Sequence, residues 1–469
     1  MNNEIVNKDS LEFLKNINDF DFDIIYCDPP YALGSEIIIN SDGKVDYKNA
    51  VDFMNKWDMP TGKWWENWFN EAYRILKYGG YCIMFGIDRQ LLLFKYYAHL
   101  SGFQECQSLY WYYITSFPKS TDLSKMIDKN AGVEREIIEE NPNKKGRKYD
   151  NKHSFGSTIL TDDGKNRGVY LTKPKLDLAK KYNGYRYSIA PFKQTNETIM
   201  IFQKPYKTNS CLYDTLEFEN GNGECCCGAL NIEKCKVPTN ASDEKNINRK
   251  INRNIRNVND GWGMNNTKMD NPIVLNENGR YPAQTFIDTE ISKILDKQSG
   301  INTSCKSKNF HKKYGDKFNF GGGWSNSNNQ YDDTGGCSKI LHKCDFENGE
   351  YDLYIYCPKV NNKERNAGIN KYDEYQYRGN GFSNKISNTH LPRGNDHPTL
   401  KPISLSEKIL KLFKTPNEQK ICYPFAGAGS EIIGGIKAGF SNWIACEINN
   451  RYIEIAKQRI KYWINNKFF

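Results

Sequence analysis

No stretch of the chain approaches the roughly 18 consecutive apolar residues of a membrane-spanning helix. The opening Met1-Asn2-Asn3-Glu4 lacks the apolar core of a secretory signal. Although there are 14 cysteines, no Cys-x2-Cys pair occurs among them. The ligand spacing of common zinc sites is therefore missing, and the adjacent Cys225, Cys226 and Cys227 cannot readily all ligate one tetrahedral ion. No metal is expected. Cys27, Cys82, Cys422 and Cys446 lie inside apolar, strand-like runs, which suits reduced intracellular thiols. These absences read as a soluble, cytoplasmic protein without a membrane partner.

Acid is in short supply relative to base, with 56 Asp and Glu against 65 Lys and Arg and a formal net charge of +9. That balance favours a polyanionic partner, unless Lys is frequent only because Asn, Lys and Ile are frequent throughout. At 469 residues the chain suggests two or three units, and 38% hydrophobic residues suffice for real cores.

The most informative stretch is Asp23-Ile24-Ile25-Tyr26-Cys27-Asp28-Pro29-Pro30-Tyr31. An apolar run reads as a buried strand, stopped by two prolines. The strand end then presents an acid, rigid carbonyls and an aromatic ring where ligands bind in open α/β sheets. Asp28 could accept one N–H of an amine on a planar base, and the Pro29 carbonyl the other. Two fixed acceptors would pull the nitrogen towards tetrahedral geometry and free its lone pair, with Tyr31 stacked on the base. The bland alternative is a strand-end turn.

The chain falls into three parts. Residues 1–205 alternate strand and helix patterns, with a polar stretch at 33–50 long enough to be a mobile lid. Residues 206–390 are rich in Asn, Lys, Gly and Ser, with weak periodicity. Within them Arg249, Arg253 and Arg256 would share one helical face. They contact phosphates or belong to a solvated helix or loop. Residues 391–469 return to the α/β pattern. A strand at Ile421–Phe425, the turn Ala426-Gly427-Ala428-Gly429-Ser430, a helix, and a strand ending in Glu447 follow one another. Glycines let a ligand approach the backbone, and an acid ending the next strand can take both ribose hydroxyls. The third glycine of a dinucleotide fingerprint and a phosphate-loop lysine are both missing. Adenosine without phosphates fits best, as in S-adenosylmethionine, although a β–α turn without a ligand remains the alternative.

Together with Gly228-Ala229-Leu230-Asn231-Ile232, Gly279-Arg280-Tyr281-Pro282 and His397-Pro398-Thr399-Leu400-Lys401-Pro402, these blocks resemble the β-class of DNA amino-methyltransferases. Such proteins are common in bacterial viruses and restriction–modification islands. The resemblance implies an α/β, Rossmann-like S-adenosylmethionine-dependent sheet, circularly permuted, with residues 206–390 inserted for target recognition. It implies a bacterial or virus-infected cell, double-stranded DNA as partner, and a restriction endonuclease as an open further partner. The implied catalytic set is Asp28, Pro29, Pro30 and Tyr31. The implied cofactor set is Asp9, Lys401, Pro402, Phe425, Ala426, Gly427, Gly429, Ser430 and Glu447, with Asp9 at the adenine ring and the stretch from His397 to Pro402 by the methionine part. The expected reaction is methylation of N6 of a flipped adenine, with cytosine-N4 as alternative. Two departures stand out. Tyr423-Pro424-Phe425 replaces Asp-Pro-Phe, removing an acid from the cofactor's amino group, and Gly429-Ser430-Glu431 replaces Gly-Thr-Thr. A weakened, DNA-binding homologue is therefore the third alternative.

Overall fold

The apolar runs pair into one ten-stranded sheet in the computed structural model. The structure describes residues 3–31, 36–48, 60–113, 120–140, 170–188, 191–236, 281–287, 289–300, 302–303, 334–335, 342–343, 360–369, 394–395, 397 and 399–466. The amino-terminal part supplies β1 (Glu4–Asn7), helix α1 (Ser10–Leu14), β2 (Phe22–Cys27), a hairpin of β3 (Glu36–Ile39) and β4 (Val45–Lys48), and helix α2 (Gly62–Ile75). Next come β5 (Leu76–Gly86), helix α3 (Asp88–Leu100), β6 (Gln104–Glu105), β7 (Leu109–Tyr112) and β8 (Asn196–Gln203). Short strands β9 (Thr285–Ile287) and β10 (His342–Lys343) lie in the middle part. The carboxyl-terminal part adds helix α4 (Ile403–Phe413), β11 (Lys420–Tyr423), helix α5 (Ser430–Lys437), β12 (Asn442–Glu447) and helix α6 (Asn450–Asn465).

The sheet runs β1-β12-β11-β2-β5-β8-β7-β9-β10, with β6 on β8. From β1 to β5 every pairing is parallel, whereas β8 is antiparallel to both β5 and β7. The two ends of the chain are therefore interleaved: Ile25 on β2 pairs with Cys422 on β11, and Asn7 on β1 with Glu447 on β12. The expected mixed α/β fold is present. Its parallel half is buried on both faces, which is why β2 is apolar without alternation from Ile24 to Cys27. Alternate residues still serve different layers. Ile24 and Tyr26 join a core with α4 and α5, while Ile25 and Cys27 join one with α1, α2 and α3.

One expectation changes at this level, and contacts cross the boundary drawn at position 206. The stretch at 33–50 contains the hairpin β3–β4 instead of an open loop. Asp42 accepts the Lys44 N–H at 3.1 Å, and Gly43 takes φ of 79°, a conformation that glycine adopts without strain. The hairpin is moored to the helices, since Tyr97 donates to the Val45 carbonyl at 2.8 Å and Asp46 accepts from Gly62 N–H at 2.8 Å. Position 206 is also no break in packing. Cys226 N–H bonds the Tyr78 carbonyl, Asn231 N–H bonds the Leu412 carbonyl, and β9 extends the sheet from β7.

Helices α4 and α5 meet at Gly434. A Cβ there would fall 2.6 Å from that of Ser406 and 2.9 Å from both the Glu407 nitrogen and the Ile403 carbonyl oxygen. Backbone cannot yield as a flexible side chain can. Gly434→Ala should therefore cost about 1–3 kcal/mol through overpacking, read as a lower urea midpoint with an unchanged m-value.

Candidate active site

Parallel order brings the carboxyl ends of β1, β12, β11 and β2 to one edge, where the following loops enclose a cavity of about 380 Å³. That is within the usual range for a small-molecule site. Asp9, Asp28, Phe425, Gly427 and Glu447 all line it.

At one end, Glu447 closes β12. Its Oε2 accepts the Gly427 N–H at 2.8 Å, and its Oε1 accepts the Asn449 N–H at 2.9 Å. Burial holds the carboxyl above its ordinary range against the pull of these backbone donors. Each oxygen retains a lone pair for a further donor. Gly427 has φ of 48°, and a Cβ on it would lie 2.8 Å from His397 Nε2, so the turn passes beneath His397 only because no side chain intervenes. Burial lowers the His397 pKa to about 3, so its imidazole is neutral at physiological pH. Phe425 stacks on Trp68 (5.9 Å, 26°) at the cavity wall. Asp9 caps α1, its Oδ1 accepting from Leu11 and Glu12 N–H.

At the other end, Asp28 follows β2. Its Oδ2 accepts from Lys401 Nζ at 2.6 Å, whereas its buried Oδ1 has no hydrogen-bond partner. Lys401 is itself 4% exposed and also reaches Glu197 Oε2 at 3.2 Å and the Tyr31 hydroxyl at 3.1 Å. The Tyr31 hydroxyl donates to Glu197 Oε2 at 3.0 Å. Burial raises the Asp28 pKa, Lys401 opposes this, and Glu197 adds to it. Burial alone would lower the Lys401 pKa, but Asp28 and Glu197 hold it above its ordinary value. The two groups form a buried pair at 2.6 Å under one cavity wall. The Pro30 carbonyl is taken by Gln90 Nε2 at 2.7 Å, which fixes the double-proline turn.

The residues expected from the sequence divide into two groups. Asp9, Asp28, Pro29, Pro30, Tyr31, Phe425, Gly427 and Glu447 face the cavity together. Lys401, Pro402, Ala426, Gly429 and Ser430 stand behind its wall. Lys401 pairs with two buried carboxylates, Asp28 and Glu197. Pro402 precedes α4, Ala426 N–H bonds the Cys446 carbonyl at 2.8 Å, and Gly429 caps α5. Ser430 Oγ accepts from Arg459, which is fully buried under the turn. Arg249, Arg253 and Arg256 lie outside the described residues. Glu197 and Gln90 were not singled out, whereas His397 and Glu431 stood only inside quoted motifs, without roles of their own. Glu431 alone had a local signal, as an acid where the related motif has threonine.

Tyr423 does not reach the cavity. It shares a sheet face with Ile421 and meets Tyr26 edge-on at 6.3 Å, buried in the core under α4 and α5. Strand alternation sends it inward. Its hydroxyl is buried without a partner, against Gly435, where a Cβ would overlap it. A stranded buried hydroxyl costs about 1–3 kcal/mol. Tyr423→Phe should therefore leave the chain as stable or more so, with ligand binding unaltered, as checked by urea denaturation and calorimetry.

The chain is similar to known proteins in family profile, in sequence and in structure. The profile of a family described as DNA methylase, of the N6/N4 type, matches residues 22–458. The Type II methyltransferase M.HpaI of Haemophilus parainfluenzae is 24% identical over 129 residues, 27% of this chain and 37% of that protein. The match thus spans little more than a third of that relative's length. Among solved structures, the complex of M1.HpyAVI with SAM aligns with a TM-score of 0.32 at 11% identity, covering 97% of this chain and 98% of the other. The cytosine-N4-specific PvuII DNA methyltransferase aligns with a TM-score of 0.37 at 10% identity, covering 99% and 92%.

Proposed function

Since the chain belongs to the N6/N4 DNA methylase family, we propose that it methylates the exocyclic N6 amine of an adenine in double-stranded DNA, using S-adenosylmethionine. The observation that carries this reading is Asp28 Oδ1, a buried acceptor without a partner at the wall of a ligand-sized cavity. Such an atom is costly unless a ligand donor completes it.

The residues present suit the cofactor. Glu447 offers two lone pairs to a ribose diol, the glycine turn admits a ligand close to the backbone, and Phe425 and Asp9 border the adenine. When bound, the cofactor supplies an electrophilic methyl group on sulfur. The protein's own groups do the rest. Asp28 Oδ1 accepts one N–H of the target amine and the Pro29 carbonyl the other, which localises the nitrogen lone pair. Lys401 keeps Asp28 charged for that task. Tyr31 borders the base, its ring held in place through its hydroxyl by Glu197 and Lys401. The proton that the nitrogen sheds passes to Asp28 Oδ1. Because that oxygen is buried, the base must leave the duplex to reach it.

Incubation with methyl-labelled cofactor and mixed-sequence duplex DNA, followed by nucleoside analysis, tests the reading. N6-methyldeoxyadenosine is the expected product. N4-methyldeoxycytidine would overturn the choice of base, and DNA left unlabelled despite being bound would overturn the activity.

A further inference from the structure

The charged residues lining the cavity are unevenly matched: Asp9, Asp28, Glu431 and Glu447 face Lys8 alone. Three of these acids have assigned partners or tasks. Asp9 caps α1, Asp28 pairs with Lys401, and Glu447 receives two backbone donors. Glu431 has a hydrogen bond from its own backbone N–H. It stands in the first turn of α5, is 6% exposed, and makes no side-chain ion pair among the described residues. The groups facing it are already engaged. Lys401 is held by Asp28 and Glu197, and Arg459 by the Ala428 carbonyl and Ser430 Oγ. Burial and the Asp28 charge raise the Glu431 pKa to about 8. A carboxyl enclosed in this way is completed by a cation with N–H donors brought in by a ligand.

We propose that Glu431 binds the α-ammonium group of the cofactor's methionine arm. This deepens the cofactor reading given above and rests on it. Within that ligand the sulfonium carries positive charge but no N–H, so only the ammonium can both neutralise and hydrogen-bond a carboxylate. Glu431 lines the same cavity as Asp28 and Glu447. The departures at 423 and 431 then form one exchange. The acid absent from the end of β11, where Tyr423 turns into the core, is supplied one turn into the adjoining helix.

Calorimetry on the full chain tests this with S-adenosylhomocysteine and its deamino analogue, which lacks only the α-ammonium. Glu431→Gln should weaken S-adenosylhomocysteine binding about ten- to hundredfold, the range for a charge-assisted bond. Binding of the deamino analogue should change by less than about twofold, and Glu431→Asp should restore much of the loss. Equal losses for both ligands, or none for either, would overturn the assignment. A parent chain that binds neither ligand would overturn the cofactor reading itself, a distinct result. A second readout needs no variant. Asp28, Lys401, Arg459 and the Tyr423 hydroxyl surround Glu431, and pairing requires its carboxylate form. The parent's preference for S-adenosylhomocysteine over the analogue should therefore grow between pH 6 and 8, and a flat preference would count against Glu431.

Discussion

Asp28→Ala should lower kcat for methyl transfer by about 10²–10³-fold, the usual loss when one preorganised group at a reacting centre is removed. Affinity for S-adenosylmethionine should stay within a few-fold, because Glu447, Gly427 and Phe425 at the other end of the cavity are untouched. The substitution should be tolerated, since Lys401 keeps Glu197 at 3.2 Å as a counter-charge. Asp28→Asn is expected to do no better than alanine. Lys401 can be met only by the amide oxygen, which turns the NH2 group into the Oδ1 position. An N–H would then confront the amine where an acceptor is required. Single-turnover transfer of labelled methyl to DNA, beside calorimetric cofactor binding, separates the two effects. An Asn variant within tenfold of the parent would show that Asp28 is not the amine acceptor.

What could be read in advance was what is written contiguously. The double proline after an apolar run marks a strand end, and Asp28 lies there at the cavity wall. The 20-residue interval from Gly427 to Glu447 is one turn–helix–strand unit, and it closes through the bond between Gly427 N–H and Glu447. The partners of these groups come from elsewhere in the chain. Lys401 lies 373 residues from Asp28, and Gln90 lies 60 from Pro30. No periodicity connects such pairs, so the bond from Lys401 to Asp28 could not be read in advance. Tyr423 shows the opposite failure. A motif comparison placed it at the pocket, whereas alternation along Ile421, Cys422 and Tyr423 puts its side chain with Ile421 on the face that α4 and α5 cover. The hairpin at 36–48 was concealed by polar composition, yet its Asp42-Gly43 pair is a recognised turn signal between apolar residues. In the middle part, β9 and β10 are only two or three residues long, too short for any pattern to register.

Lys401→Met should have the second large effect, with a pH signature that separates charge from packing. Removing one partner of a buried ion pair costs about 3–5 kcal/mol, because the charges left behind remain unpaired. Here two carboxylates lose their common cation. The Lys401 pKa lies above its unfolded value, so its stabilisation is fully present below about pH 10.5 and is lost only at higher pH. Asp28 has the opposite sign. Its folded pKa is already raised by burial, and it rises further once Lys401 is gone. The folded variant then holds a proton that the unfolded chain releases, so the stability penalty grows as pH climbs from the unfolded carboxyl range towards neutrality. Methyl transfer, which needs ionised Asp28, should fall about tenfold for each unit by which that pKa exceeds the working pH. Activity should then recover in part on raising the pH from 7 to 9. A variant that is less stable yet follows the parent's pH–rate profile would confine Lys401 to packing. A profile displaced to higher pH identifies it as the group that keeps Asp28 charged.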